Sequence, residues 1–229
     1  MIDLSADLGE GSPREDEIWP LIASANVACG GHIGDEHSMT EAARLARKYN
    51  VRFGAHPSYP DRENFGRKSL SIDHRELRAS LVAQISVLNA IEPVHHVKPH
   101  GALYNDAHQD RALADVIIAA LQPSMAIVAP DHSQMAAAAR AAGVRVIREA
   151  FADRRYEPDG SLTPRAIAGS TLTVDEAAAQ VALLVSDGAV IARDATRITL
   201  AFDTICIHAD MPGAVERLHA IRRAIPPSR

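Results

Sequence analysis

The chain contains 229 residues, 47% hydrophobic and 23% charged, a balance typical of a soluble globular protein rather than a disordered one. The formal net charge is −5 at pH 7 and the basic residues form no stripe, so we expect no nucleic-acid partner. No apolar run has the length of a membrane span, and the N-terminus lacks a secretory pattern. These features predict a cytoplasmic protein that does not act at a membrane, with Cys29 and Cys206 as reduced thiols.

Short apolar segments alternate with helical patterns along the first half of the chain. The predicted strands cover 2–5, 24–28, 51–55 and 93–97. The predicted helices cover 15–22, 39–46 and 73–91. Asp35 stands where the residue that caps a helix N-terminus is expected.

The second half continues the same alternation. A helix is predicted over 106–121, and an alanine-rich helix ends at Ala142 before Gly143. Thr173 is a candidate cap for a further helix over 174–186, and a last helix reaches about residue 225. The predicted extended segments cover 125–128, 144–148, 198–201 and 204–207.

Alternating strands and helices predict a parallel sheet with helical crossovers. Seven predicted strand ends carry unusual polar residues, whereas the turns that lead into strands look generic. Barrel enzymes gather their chemistry at the carboxyl ends of the strands, while an open doubly wound sheet uses fewer loops near one switch point. The distribution therefore favours a single distorted (β/α) TIM-like barrel of α/β class over 1–225, followed by a loose tail over 226–229.

Acids, bases and cations follow separate predicted strands. Four histidines stand at equivalent positions, which predicts that they converge on one pocket as proton-transfer groups or metal ligands. The residues collected at strand ends are Asp7, Glu10, His32, Asp35, His56, Lys98, His100, Tyr104, Asp131, Glu149, Asp153, Arg154, His208 and Asp210.

Several of these residues have a plain structural alternative. Asp35 fits a helix cap better than a catalytic group, and Asp131 is also compatible with a cap of the helix that follows it. His95 and His96 lie inside an apolar run, which predicts a position in the core or on a sheet face.

Two kinds of binding site are compatible with the pattern. Asp7 with His32 and His56 would suit a divalent metal, but no HExxH motif exists and these three ligands would come from three separate loops, so the sequence leaves a metal open. Lys98 and Arg154 offer a positive subsite for a substrate carboxylate or for charge developing on a carbonyl oxygen. The chain contains neither GxxxxGK[ST] nor a GxSxG elbow.

Six ordered runs resemble the LamB/YcsF family. They are DLSADLGE at 3–10, ANVACGGH at 25–32, GAHPSYPD at 54–61, VKPHGALYN at 97–105, EAFADRRY at 149–156 and ICIHADMP at 205–212. The resemblance spans nearly the whole chain and implies a barrel of the kind shared by glycoside hydrolases and polysaccharide deacetylases. It also implies ATP-dependent opening of 5-oxoproline to glutamate by a bacterial 5-oxoprolinase. In that enzyme this chain would be the A subunit, and the B and C subunits would bind the ATP.

The residue chemistry and this implied reaction together lead us to predict roles for individual residues. Lys98 and Arg154 would bind the substrate carboxylate or the polarised lactam oxygen, and His100 with Asp7 or His208 would move protons. The expected catalytic residues are Asp7, His32, His56, Lys98, His100 and His208. The expected substrate-binding residues are Glu10, Tyr104, Asp153, Arg154, Tyr156 and Asp210.

The chain departs from the family pattern at three positions. Ser5, Gly31 and Ala209 stand where the family usually has Asn, Phe and Gly. Gly31 removes a large ring beside His32, which predicts a wider pocket. Two other functions stay open: a metal-dependent deacetylase or amidohydrolase acting without ATP, and a non-catalytic subunit that binds the substrate. Assembly of this chain into a homo-oligomer is compatible with all of these functions.

Overall fold

Seven parallel strands close into a barrel, which confirms the predicted TIM-like fold. The computed structural model describes residues 2–225, so the prediction of a loose tail over 226–229 lies outside the described residues. The barrel strands are β1 (Asp3–Leu8), β2 (Ser24–Ala28), β3 (Arg52–His56), β4 (His96–Val97), β5 (Ala126–Ala129), β6 (Val146–Phe151) and β9 (Thr204–His208).

The last barrel strand closes the cylinder. β9 pairs in parallel with β6 on one side and with β1 on the other. In the β1–β9 register, Asp7 lies opposite His208, so the first and last strands bring two predicted site residues side by side. Residues 198–201, predicted as extended, are not part of the barrel. Instead β7 (Ala189–Ile191) and β8 (Arg197–Thr199) form a separate antiparallel pair.

Helices connect the strands around the barrel. They are α1 (Glu36–Tyr49), α2 (His74–Ile91), α3 (Gly101–Gln109), α4 (Arg111–Ile118), α5 (Gln134–Ala141), α6 (Val174–Asp187) and α7 (Ala214–Ala224). Two predicted caps are confirmed: the Asp35 carboxylate accepts a hydrogen bond from the Ser38 N–H at 2.9 Å, and Thr173 Oγ1 accepts one from Glu176 N–H at 3.3 Å. Each satisfies an N–H that the first helical turn leaves without a partner.

Local chemistry explains where the predicted helices were wrong. The helix expected over 15–22 is two short 3-10 turns, and Pro20 lacks the N–H that a continuing α-helix needs. The helix expected over 106–121 begins at Gly101 and is interrupted at Asp110. The Asp110 side chain accepts a hydrogen bond from Leu113 N–H at 3.1 Å, so it ends α3 and caps α4.

Asp131 is also not the cap of the next helix. Ser133 has that role, since its hydroxyl accepts a hydrogen bond from Ala136 N–H at 3.1 Å. Asp131 instead pairs with Arg140 on the surface. The two histidines of the apolar run differ: His96 is buried and bonds Asn26 at 2.9 Å, whereas His95 is exposed.

The core consists mainly of alanine, valine, leucine and isoleucine side chains from the strands and the inner faces of the helices. Leu8, Val27, Ile127 and Ile205 are completely buried. Within residues 2–225 no helix combines the length and the apolar character needed to cross a membrane. Nine of the predicted site residues lie near the carboxyl ends of the strands, where they line a cavity.

Candidate active site

The carboxyl ends of the barrel strands surround a cavity of about 510 Å³. Nine of the twelve predicted site residues line it: Asp7, Glu10, His56, Lys98, His100, Tyr104, Arg154, His208 and Asp210. His32, Asp153 and Tyr156 do not, and each lies behind or beside a residue that does. Since strands of a parallel barrel all point the same way, their ends bring residues from distant parts of the chain together.

Lys98 lies at the centre of a buried charge network. Its Nζ is 2.9 Å from Asp7 Oδ1 and 2.9 Å from Glu149 Oε1. Asp7 also accepts a hydrogen bond from Asn26 Nδ2 at 2.9 Å, and Glu149 accepts one from the Tyr104 hydroxyl at 2.7 Å. The ammonium is therefore already paired with two carboxylates, and a direct role of Lys98 towards the substrate stays a prediction.

The charges in this network stabilise one another in their ionised forms. Burial alone would lower the pKa of Lys98, but the negative charges around it, above all Asp7, raise it well above its usual value. Burial alone would raise the pKa of Asp7, but the positive charge of Lys98 outweighs it and holds that pKa well below its usual range. Both groups are therefore charged at neutral pH.

Glu10 and three histidines form a second cluster whose donor atoms are close enough to hold a metal ion. Glu10 Oε1 is 3.1 Å from His32 Nε2 and 3.3 Å from His100 Nδ1, and His100 Nδ1 is 3.0 Å from His56 Nε2. The rings of His32 and His100 are stacked, 3.7 Å apart. The carboxylate in this group belongs to Glu10. The sequence suggests Asp7 as the carboxylate ligand, but Asp7 forms an ion pair with Lys98 instead.

Burial keeps two histidines of this cluster neutral. It lowers the pKa of His56 to about 3 and also lowers the pKa of His32. Burial would raise the pKa of Glu10, but the contacts of its carboxylate with the His100 and His32 rings outweigh it and hold that pKa well below its usual value. The cluster thus offers neutral imidazole nitrogens beside an ionised carboxylate, which is the form that metal binding or proton transfer requires.

His208, which also lines the cavity, forms a dyad with Asp153. His208 Nδ1 lies 3.1 Å from Asp153 Oδ1, and the His208 backbone N–H donates to Asp153 Oδ2 at 3.1 Å. Asp153 is completely buried; burial would raise its pKa, but its interactions with His208 lower it below the usual value. An ionised Asp153 keeps the proton on Nδ1, so that Nε2 is the basic nitrogen of the neutral ring.

Three arginines face the cavity, and they differ in how they are paired. Arg67 is 2.6 Å from Asp210, and Arg165 is 3.8 Å from the same carboxylate. Arg154 is 6% exposed, and within residues 2–225 its guanidinium bonds only the backbone carbonyls of Thr163 and Ser170. Burial lowers the pKa of Arg154, as expected for a cation with no carboxylate in contact.

The surroundings of Tyr156, predicted to bind substrate, and of Gly31, predicted to widen the pocket, differ from what the sequence suggested. The Tyr156 hydroxyl accepts a hydrogen bond from Phe151 N–H at 2.7 Å, and Tyr156 lines a neighbouring cavity of about 520 Å³. A side chain at Gly31 would place its Cβ 2.3 Å from Gln84 Oε1 and 2.5 Å from Ser58 Oγ. The space beside Gly31 is thus filled by Gln84, and Gly31 does not line the site cavity.

Sequence reasoning missed three contributors to the site. Arg67 lies in a long loop with no helical or strand pattern, and Asn26 lies inside β2. Phe65 acts through its backbone carbonyl, which accepts from His100 Nε2 at 3.0 Å. Of the three, only Asn26 could have been recognised from the sequence, because an amide side chain inside a buried strand needs a hydrogen-bond partner in the protein interior.

Comparisons with known proteins show the family to which the chain belongs. A family model described as "LamB/YcsF family" matches residues 2–228. This chain belongs to the LamB/YcsF family. A LamB/YcsF relative from Neisseria meningitidis serogroup A (strain Z2491), named as the A subunit of 5-oxoprolinase, is 43% identical over 233 residues, covering 98% of this chain and 95% of that protein.

Two further relatives extend the likeness. A protein from Methylococcus capsulatus (strain Bath), also named as the A subunit of 5-oxoprolinase, is 42% identical over 244 residues, covering 98% of this LamB/YcsF chain and 94% of its own. The crystal structure of a lactam utilization protein from Thermus thermophilus matches with a TM-score of 0.90 and 40% identity, covering 97% of this chain and 95% of that one.

Proposed function

We propose that this chain is the A subunit of a 5-oxoprolinase, which opens 5-oxo-L-proline to L-glutamate with ATP and two partner subunits, B and C. One structural observation carries the proposal: Arg154 is a buried cation, unpaired by any carboxylate in residues 2–225, that faces a cavity lined with acid and base groups. A buried charge without a counter-ion is costly, so the cavity favours an anionic ligand. The names of the 42–43% identical relatives support a cyclic amide as that ligand.

The chemistry needs an activated amide and controlled proton transfer. In the net reaction water adds to the lactam carbonyl carbon, the ring C–N bond breaks, and the ring nitrogen takes up a proton. ATP supplies the driving force: its terminal phosphoryl group is transferred to the carbonyl oxygen and ADP leaves, so that water addition and C–N cleavage give an acyl phosphate. A second water hydrolyses this acyl phosphate to the carboxylate and phosphate. In this proposal Nε2 of His208 takes the proton from water, because Asp153 holds the proton of the neutral ring on Nδ1.

Arg154 is assigned the substrate carboxylate. Changing Arg154→Gln should raise KM for 5-oxoproline about 10–100-fold with kcat little changed, because a charge-assisted hydrogen bond contributes about 1.5–3 kcal/mol. The matched control is Arg155→Gln: Arg155 is the next residue, is more exposed and pairs with Glu176. Steady-state kinetics of the assembled enzyme provide the measurement. A KM for Arg154→Gln equal to that of the control would contradict the assignment.

Glutamate release from 5-oxoproline tests the function itself. The chain is assayed alone and with its partner subunits, each with and without ATP, and the partners are also assayed without the chain. We expect glutamate only when the chain, the partners and ATP are all present. Turnover by the chain alone without ATP would replace the proposal with a self-sufficient amidohydrolase. Full turnover by the partners without this chain would remove it from the reaction.

A non-catalytic binding role is separated by the kinetic constants. If the chain only delivers 5-oxoproline, variants in its cavity should weaken binding and kcat/KM in parallel, with no separate loss of kcat. ATP is assigned to the partner subunits in this proposal, in line with the lack of a GxxxxGK[ST] motif in this sequence. A cytoplasmic location and assembly with copies of itself also remain predictions.

A further inference from the structure

The hydrogen bonds of His56 fix which of its ring nitrogens carries a proton. His56 Nδ1 lies 2.7 Å from the backbone carbonyl oxygen of Lys98. A carbonyl only accepts hydrogen bonds, so Nδ1 is the protonated nitrogen of the neutral ring. Nε2 then presents a lone pair, and its neighbours are Asp7 Oδ2 at 3.5 Å, Glu10 Oε1 at 3.8 Å and His100 Nδ1 at 3.0 Å.

His100 is constrained in the same way. Its Nε2 is 3.0 Å from the backbone carbonyl oxygen of Phe65, so Nε2 is protonated and Nδ1 presents a lone pair. The two lone pairs of His56 and His100 therefore point at each other, with the Glu10 carboxylate 3.3 Å from His100 Nδ1. With both rings neutral, three electron-rich atoms converge with no hydrogen between them, an arrangement that is repulsive unless a cation lies among them.

We infer that Glu10, His56 and His100 bind a divalent transition-metal ion, with Zn²⁺ as the first candidate. Two imidazoles and one carboxylate are the ligands of catalytic zinc sites and of facial non-haem iron sites. Two ligands each about 2.1 Å from one ion lie roughly 3.0–3.4 Å apart at octahedral to tetrahedral angles. The ligand pairs here are 3.0, 3.3 and 3.8 Å apart, so small side-chain movements suffice.

The surroundings of these three residues also match a metal site. The carbonyls of Lys98 and Phe65 fix the histidine rings through their far nitrogens, as the outer partners of metal-binding histidines do. All three ligands line the site cavity, which leaves the remaining coordination positions open towards it. His32 does not line the cavity; its ring donates from Nε2 to Glu10 at 3.1 Å, and Nδ1 has no partner among the described residues. His32 is a positioning residue for Glu10.

The ion would supply a Lewis acid beside the proposed lactam site, where it would polarise a carbonyl or a bound water. That part of the inference depends on the proposed function, whereas metal binding does not. The metal site is therefore tested on the isolated chain, without ATP, substrate or partner subunits. Failure to bind metal would leave the 5-oxoprolinase proposal standing, and absence of turnover would leave the metal site standing.

The experiment is a Zn²⁺ titration of the chelator-stripped chain by calorimetry, with elemental analysis of protein purified without chelator. We expect one ion per chain. Glu10→Gln and His56→Ala should weaken Zn²⁺ binding about 100-fold or more, and His32→Ala about 10-fold. His95→Ala is the matched control, because His95 is exposed and outside the cluster; it should bind as the wild type does.

Circular dichroism and thermal unfolding of the metal-free variants ensure that weak binding does not result from misfolding. Wild-type binding no tighter than that of folded Glu10→Gln and His56→Ala would overturn the inference. In that case a proton shared between His56 and His100 would occupy the space between the lone pairs. Tight binding unchanged in both variants would overturn it as well, since the ion would then lie elsewhere.

Discussion

Replacing His208 with alanine should lower kcat of the assembled enzyme about 10²–10⁴-fold and change KM little. This is the range that a positioned general acid or base contributes. His208 lines the cavity, and Asp153 accepts two hydrogen bonds from it: the one from Nδ1 orients the ring, and the one from the backbone N–H holds the main chain. The basic Nε2 is thereby held in place for proton transfer before the substrate arrives. Steady-state glutamate release with partners and ATP measures the effect.

The controls distinguish proton transfer from a structural role. His219→Ala removes an exposed histidine from α7 and should leave kcat unchanged. Asp153→Asn should lower kcat and alter its pH profile, because a neutral amide no longer fixes the His208 tautomer. If a correctly folded His208→Ala enzyme kept kcat within a few-fold of the wild type, His208 would not be the proton-transfer group.

Replacing Lys98 with methionine should lower the free energy of unfolding by about 3–5 kcal/mol, the cost of removing one partner from a buried ion pair. The substitution leaves the carboxylates of Asp7 and Glu149 buried and close together without their cation. Methionine retains most of the side-chain volume, so the loss reports on charge more than on packing. Urea unfolding followed by circular dichroism gives the difference.

Two companion variants make this result specific. Arg44→Met breaks an exposed ion pair with Glu41 and should cost less than about 1 kcal/mol. Combining Lys98→Met with Asp7→Asn and Glu149→Gln removes the uncompensated charges and should recover much of the stability. A Lys98→Met protein as stable as Arg44→Met would mean that the network contributes little to the folded state.

The barrel and the gathering of its polar residues could be predicted from the sequence. The prediction worked because strand ends carried the unusual residues while the opposite turns did not, and a parallel barrel brings all strand ends to one face. The pairing of residues within the site could not be predicted in the same way. Asp7 and Glu10 are only three positions apart, yet Asp7 bonds Lys98 and Glu10 bonds the histidines.

The reason is geometric. Gly9 has a φ of +76°, a conformation that redirects the chain between the two carboxylates, and no pattern of apolar residues reports such a turn. The hydrogen bond that orients His100 is accepted by the backbone carbonyl of Phe65. Every residue has such a carbonyl, so the residue type does not reveal which one accepts the bond. The two 3-10 turns and the interruption at Asp110 show the same limit, because each depends on one local contact rather than on periodicity.

The pairing of β9 with β1 has a consequence for how the protein is made. The strand that closes the barrel spans Thr204–His208, close to the end of the chain, and its neighbour β1 is the first strand. A nascent chain that still lacks β9 has open edges on both β1 and β6, and such edges invite pairing with other chains. The contacts between β1 and β9 join residues about 200 positions apart, and long-range contacts of this kind form slowly. Closure of the barrel, and with it the meeting of Asp7 and His208, therefore has to wait until β9 has been made, and the two edges stay open until then.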